Sequence, residues 1–217
     1  PMSCVANANT IFKLAQVILL FPCGSLLVKL SNLIIPGEDK VTDDEYQLEF
    51  IGEGHTVTPA TAVPSAISEI KRMGLIAFDN LERAMASLMQ GDDKELPVVY
   101  QTEKEIDFLN TEICNYLVRV NKLSIPIQDK KILGGLFHVV SDMERIGDHA
   151  ENIADFAKTC NKEGLNFSKD AKKEMQKMLD KVTHLLTLSL DMFSENNEGY
   201  MDDILKLEDE IDTMERK

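Results

Sequence analysis

The stretch Gln128-DKKILGGLFHVVSDMERIGDHAENIADFAKTC-Asn161 decides the fold of this chain. Apolar residues recur in it every three or four positions, which is the spacing of one face of an α-helix. These residues are Ile132, Leu136, Val139, Met143, Ile146, Ala150, Ile153 and Ala157. The pattern predicts one long amphipathic helix that buries this face against neighbouring elements.

Two more long helices precede this one. The first is predicted from Pro64 to Gln90, with proline in its first turn and Gly91 just after its end. The second is predicted from about Lys94 to Leu123. The apolar stripe of this second helix consists of Val99, Ile106, Ile113, Leu117 and Val120. Because only short turns separate the three, they must fold back on one another. The sequence therefore predicts an all-α fold with an antiparallel three-helix bundle over residues 64–163.

The helical pattern starts again after Gly164. A fourth helix is expected over about 168–195 and a fifth from about Tyr200 onward. The motif Glu103-Lys-Glu-Ile-Asp107 of the second helix returns as Glu208-Asp-Glu-Ile-Asp212 in the fifth. Such a repeat indicates an internal duplication. Residues 164–217 are therefore expected to form a partial second bundle that lacks its third helix.

The chain is strongly acidic, with a formal net charge of −14. This excludes a nucleic-acid partner, because phosphate backbones are bound through Lys and Arg. Cations or a basic protein surface are the expected partners instead. The four cysteines have no CxxC or Cys/His spacing, so neither a zinc site nor a disulfide framework is expected.

The stretch Ile11–Pro36 is apolar and contains only Lys13 and Lys29 as charged residues. About 20 apolar residues span a bilayer, so residues 1–36 are expected to be the end of a transmembrane region. The alternative is a buried or surface-lying pair of apolar helices, broken at Pro22-Cys23-Gly24. Residues 37–63 read as a polar linker with one short strand-like piece around 46–51.

Carboxylates are paired at i and i+4 on the predicted helices, as Glu103 with Asp107 and Glu144 with Asp148. Such pairs lie on one helix face and repel each other. One interpretation is an ordinary solvated surface. The other is a metal site between two helices, whose hard oxygen ligands suit iron, manganese, magnesium or calcium. Possible additional ligands on the same two helices are Asn110, Glu151 and Asn152, whereas His149 lies about 100° further round its helix.

The motifs Asp142-MERIGDHAEN-Ile153 and Glu103-Lys-Glu-Ile-Asp107 resemble the PhoU family of phosphate-uptake regulators. That resemblance implies two three-helix bundles that bind multinuclear metal clusters, commonly of iron, and a regulatory role rather than an enzymatic one. Glu103, Asp107, Glu144 and Asp148 would then hold one metal cluster. Glu208 and Asp212 would supply half of a second cluster, whose partner helix is absent.

The segment Ala6-Asn-Ala-Asn-Thr-Ile-Phe12, followed by the apolar stretch, resembles the end of the membrane part of bacterial sodium/phosphate cotransporters. Those transporters carry a PhoU-like domain behind their last membrane segment. Asn9 and Lys13 depart from that pattern, where His and Asn are expected. The resemblance implies the C-terminal part of a sodium-dependent phosphate symporter in the cell membrane, with residues from about 37 onward cytoplasmic and the core that carries phosphate and sodium missing.

Two other readings remain open. The chain could be a stand-alone regulator that acts by binding transporter or sensor proteins, and it could form a homo-oligomer. A di-iron oxidase is a weaker alternative than either the symporter or the stand-alone regulator. Such enzymes usually bind iron through Glu-x-x-His pairs, which do not occur here.

Overall fold

The computed structural model describes residues 46–52, 58–195 and 197–216. The expected membrane segment and most of the expected linker lie outside these residues. The described part contains five α-helices, a short 3₁₀ turn at Glu198–Tyr200 and no strand, which confirms the all-α prediction for that part. The helices are α1 (Ala62–Gln90), α2 (Leu96–Asn121), α3 (Ile127–Glu163), α4 (Lys169–Glu195) and α5 (Met201–Glu215). None of the described helices combines the length and the hydropathy needed to cross a membrane.

Two glycines end the longer helices of the bundle. Gly91 follows α1 with a φ of 73° and donates its backbone N–H to the Ser87 carbonyl oxygen. Gly164 follows α3 with a φ of 70°. Residues with a side chain rarely adopt this left-handed conformation, so glycine is suited to stop a helix there. The stop at Gly91 lies where the sequence predicted it, and α3 runs two residues beyond its predicted end at Asn161.

Helices α1, α2 and α3 pack against one another in a three-helix bundle. The apolar face predicted for α2 is buried throughout, at Val99, Ile106, Ile113, Leu117 and Val120. The predicted face of α3 is buried at Leu136, Ala150 and Ala157. Its first member, Ile132, is 46% exposed. This beginning of α3 is thinly covered, since a Cβ added at Gly134 or Gly135 would meet no atom within 4 Å.

Helix α4 packs along α1, and α5 packs mainly against α4. The Lys71 ammonium of α1 lies 2.9 Å from the Asp191 carboxylate of α4. At Gly74, a Cβ would lie 2.9 Å from the Met143 sulfur and 3.0 Å from a Leu190 methyl carbon, so α1, α3 and α4 meet closely there. No residue of α5 is buried. Helices α4 and α5 thus form a hairpin attached to the bundle through α4.

Residues 46–52 lie against the bundle but do not form the expected strand-like piece. The backbone N–H groups of Glu49, Phe50 and Ile51 all donate to one carboxylate oxygen of Glu69 in α1, at 3.0, 2.7 and 3.3 Å. A strand would need these groups for a neighbouring strand. Because the carboxylate takes all three, the segment bends around it instead.

Candidate functional site

Five acidic side chains come together between α2 and α3. We call them the acidic cluster, and they are Glu103 and Asp107 of α2 with Glu144, Asp148 and Glu151 of α3. Each is at least partly exposed. The two predicted carboxylate pairs of the first bundle therefore do face each other across a helix interface.

The negative charges of the cluster perturb one another. Burial, followed by the charges of Asp107 and Glu151 and the smaller effect of Asp148, raises the pKa of Glu103 to about 7. Burial, then the charges of Asp148 and Asp107, also raises the pKa of Glu144. Both shifts have the sign expected when carboxylates are partly buried and crowded together.

Basic side chains do little to neutralise this charge. Within residues 58–195 and 197–216, no Lys or Arg forms an ion pair with a member of the acidic cluster. Arg145 follows Glu144 directly, and its charge only partly opposes the rise in the pKa of that residue. The cluster therefore holds negative charge that a bound cation could compensate.

A glycine explains why the two acidic faces meet. Gly147 lies between Glu144 and Asp148 in α3 and is buried against Ile106 of α2. The absence of a side chain lets the two helix backbones approach closely at this point. Ile106 precedes Asp107 directly and lies one turn beyond Glu103, so the contact holds the acidic pairs of both helices at the same level.

Tyr100 extends the site by one turn and was not singled out in the sequence. Its hydroxyl donates a hydrogen bond of 2.8 Å to the Asp155 carboxylate of α3. Burial, then this hydrogen bond and the charges of Asp155, Glu151 and Asp93, raises the pKa of Tyr100 to about 12. The residue was detectable in principle, because it lies three positions before Glu103 and thus continues the same helical row.

The possible additional ligands have different positions. Glu151 belongs to the acidic cluster. Asn110 is half-buried and accepts a weak hydrogen bond from the Cys114 thiol at 3.7 Å. Asn152 is exposed and donates its side-chain amide to the Asp148 carbonyl oxygen of its own helix at 2.8 Å. His149 is exposed, as its position on the helix indicated.

The third predicted carboxylate pair lies apart from the acidic cluster. Glu208 and Asp212 are both exposed on α5. Asp212 forms an ion pair of 3.3 Å with Arg216 of the same helix. The pair is therefore on a solvated face in this part of the chain, which makes it a useful reference for the acidic cluster.

The carboxylates of the cluster are close but do not converge on one point. Among the described residues, no group of three or more His, Cys, Asp or Glu is arranged as a ready metal site. A cation would thus have to draw the side chains together by rotation about their χ angles. The donor set itself, carboxylate oxygens without basic partners, suits a hard cation.

Three buried polar residues of α1 were also missed. They are Glu69, Asn80 and Ser87, each on the face that packs into the bundle. The Asn80 amide donates to the Val99 carbonyl oxygen at 3.1 Å and so ties α1 to the first turn of α2. Polar residues on an otherwise apolar stripe give no indication of their partners in the sequence.

Comparison with known proteins covers this same region. Residues 70–157, which contain the whole acidic cluster, match the PhoU domain family. A phosphate-specific transport system accessory protein PhoU homolog from Clostridium acetobutylicum is 30% identical over 152 residues, which are 69% of this chain and 68% of that protein. The chain belongs to the PhoU family.

Two further relatives align with the chain. A PhoU homolog of the same description from Xylella fastidiosa is 36% identical over 89 residues, covering 41% of this chain and 37% of that protein. YjbB from Salmonella typhimurium, named as an inorganic phosphate export protein, is 21% identical over 189 residues. That alignment covers 85% of this chain and 34% of YjbB. No solved structure shows significant similarity to the chain.

Proposed function

We propose that this chain regulates phosphate transport as a PhoU-type domain whose acidic cluster binds metal cations. The observation that carries the proposal is the meeting of two carboxylate pairs, from α2 and α3, without a basic partner in the described residues. This arrangement lies inside the PhoU domain match. Several relatives are named as accessory proteins of a phosphate-specific transport system, which supports a regulatory rather than an enzymatic role.

The metal would be held by Glu103, Asp107, Glu144 and Asp148, with Glu151 as a further ligand. Carboxylates are hard ligands, so iron, manganese, magnesium and calcium are the candidates, and iron is the metal that the family resemblance favours. A bound cation would remove the repulsion between α2 and α3 and so stiffen the bundle. Glu208 and Asp212 would complete a second site only together with a helix that the described residues do not include.

Cation binding can be tested directly. The full chain, stripped with chelator, is titrated with Fe²⁺, Mn²⁺, Mg²⁺ and Ca²⁺ while heat and melting temperature are recorded. At least one cation should bind and raise the melting temperature, since a ligand of the folded state stabilises it. The variant Glu103→Gln/Asp107→Asn/Glu144→Gln/Asp148→Asn should lose this response, and the matched control Glu208→Gln/Asp212→Asn should keep it. Equal responses in both variants would overturn the metal site.

We further propose that the regulatory domain is attached to a sodium-dependent phosphate transporter in the cell membrane. The apolar residues 11–36 and the alignment of 85% of this chain with YjbB support this reading. The membrane would then contain residues 1–36, residues from about 37 would be cytoplasmic, and a separate core would carry phosphate and sodium. The alternative, a stand-alone regulator that binds transporter or sensor proteins, is favoured by the 68% coverage of the Clostridium accessory protein.

Membrane attachment separates the two readings. If residues 11–36 are inserted in the bilayer, the full chain should resist extraction from membranes by alkaline carbonate. The variant Leu19→Asp/Leu20→Asp should become extractable, because two acids inside an apolar segment oppose insertion. A full chain that is extracted as easily as this variant would favour the stand-alone regulator.

A further inference from the structure

We propose that residues 46–52, here called the strap, are coupled to the acidic cluster through α2, so that neutralising the cluster loosens the strap. The strap precedes α1 in the chain, and residues 53–57 separate it from residues 58–61. The inference rests on the proposed function only in taking a cation as the natural neutralising agent. The contacts that carry it exist without one.

A buried carboxylate anchors the strap to α1. Glu69 is 0% exposed, and one of its oxygens accepts the three backbone N–H groups of Glu49, Phe50 and Ile51. Its other oxygen accepts hydrogen bonds from the Arg72 guanidinium at 2.7 Å. Three N–H donors on one charged acceptor hold a backbone more tightly than neutral hydrogen bonds do. The strap therefore has one fixed attachment, on α1.

A second set of contacts joins the strap to α2. The Tyr46 ring lies 5.8 Å from the Phe108 ring between centroids, and the Gln101 side-chain amide donates to the Tyr46 hydroxyl. Arg72 donates to the Gln47 carbonyl oxygen at 2.9 Å and also reaches Glu105 of α2 at 3.5 Å. The strap thus bridges α1 and α2, and its geometry depends on how these helices are placed relative to each other.

The strap and the acidic cluster contact opposite faces of α2. The strap side uses Gln101, Glu105 and Phe108, spaced by four and three positions as one helical row. Glu103 and Asp107 each lie two positions beyond a member of that row, which is about 200° round the helix. A displacement of α2 caused by the cluster is therefore passed to the strap by the same rigid helical turns.

The Ile106–Gly147 contact determines what kind of displacement is possible. Repulsion across the cluster pushes α2 and α3 apart, and neutralisation removes that force. The close packing of Ile106 against Gly147 leaves no room for the helices to approach each other. In this proposal the relief is taken up by rotation of α2 about this contact. Such a rotation would move Glu105 and Phe108 away from partners that stay attached to α1.

Hydrogen exchange of the amides of Glu49, Phe50 and Ile51 in the full chain, in chelator, measures the strap directly. In the variant Glu103→Gln/Asp107→Asn/Glu144→Gln/Asp148→Asn these amides should exchange at least roughly 5-fold faster. A factor of about 5 is the lower end of the effect that one site of a protein typically has on another. The control Asp170→Asn/Glu174→Gln, an exposed i, i+4 acidic pair on α4 that belongs to neither proposed site, should leave them unchanged. Arg72→Ala should accelerate exchange on its own and shows that the measurement detects a loosened strap.

The route through α2 has its own test. Tyr46→Ala/Glu105→Ala removes the contacts of Tyr46 with α2 and the link from Glu105 of α2 to Arg72, but keeps Glu69 and the acidic cluster. In that background, neutralising the cluster should no longer change exchange of the strap amides. Unchanged exchange in the neutralised variant overturns the coupling whether or not the natural chain binds cations. A full response in the Tyr46→Ala/Glu105→Ala background overturns the route through α2.

Discussion

Gly147 of α3 lies so close to Ile106 of α2 that a Cβ added at Gly147 would be 3.0 Å from Ile106 Cδ1 and 3.1 Å from Cγ2. Ile106 is buried in the bundle and has little freedom to move away. The contact lies at the level of the acidic cluster. It therefore controls both the packing of the two helices and the distance between their carboxylates.

Gly147→Ala should consequently destabilise the bundle by about 1–3 kcal/mol, the usual cost of overpacking a core. Chemical denaturation of the variant measures this change. The matched control is Gly134→Ala in the same helix, where the new methyl group would meet no atom within 4 Å. That control should gain about 0.4–1 kcal/mol, because alanine restricts the unfolded chain. Equal effects at both positions would contradict the close approach at Gly147.

The raised pKa of Glu103 predicts how stability depends on pH. The pKa is about 7 in the folded chain against an ordinary value of 4.5. The folded state thus binds this proton more tightly than the unfolded state does. The contribution of Glu103 to the free energy of unfolding is fully present below pH 4.5. It falls as the pH rises from 4.5 to 7 and does not fall further above pH 7. The raised pKa of Glu144 acts in the same direction.

Glu103→Gln should therefore be more stable than the natural chain at pH 8 and should lose part of the decline between pH 4.5 and 7. Melting temperatures across this range, in chelator, test the prediction. Glu208→Gln is the control, because its exposed side chain lies on α5, away from the acidic cluster. A Glu103→Gln curve that runs parallel to that of the natural chain would show that folding does not raise the pKa of Glu103.

Glu69→Ala should cost about 3–5 kcal/mol, since it leaves three strap N–H groups without their acceptor and removes the buried carboxylate partner of the Arg72 guanidinium. Glu82→Ala is the control in the same helix, where the side chain is exposed, and it should change the free energy of unfolding by less than about 0.5 kcal/mol. Urea denaturation separates the two. A cost at Glu69 as small as at Glu82 would mean that the strap is not held by this carboxylate.

The ion pair between α1 and α4 should contribute far less. Lys71 and Asp191 are 33% and 34% exposed, so solvent screens their attraction. We expect Lys71→Met to cost only about 0.2–1 kcal/mol. Lys173→Met, at an exposed position of α4, is the reference. A loss of several kcal/mol at Lys71 would show that α4 is held mainly by charge rather than by the packing around Gly74.

The helices of this chain were predictable because each carries a long apolar stripe. All five residues of the stripe predicted for α2 are buried, and glycine stops marked the ends of α1 and α3. Ile132 was wrongly placed in the core, because helical periodicity does not show how far a neighbouring helix extends. The membrane segment and the linker before residue 46 stay predictions.

Half of the candidate site could also be predicted. The i, i+4 spacing places Glu103 with Asp107, and Glu144 with Asp148, on one face of each helix. That the two faces meet depends on the packing of Gly147 against Ile106, and spacing along one helix does not show which residue of another lies opposite. The role of Glu69 could not be predicted for the same reason, since its partners are backbone groups about twenty positions earlier in the chain. The metal itself stays a proposal.

The hydrogen bonds of Glu69 also define where the folding unit begins. Judged by helix limits alone, the bundle would start near Ala62, and a truncated protein from Thr58 onward would retain all three helices. Such a truncation would bury a carboxylate with Arg72 as its one remaining partner among the described residues, and it would remove the fully buried Ile51 from the core. The practical domain boundary therefore lies at or before Tyr46, and a shorter fragment should be less soluble.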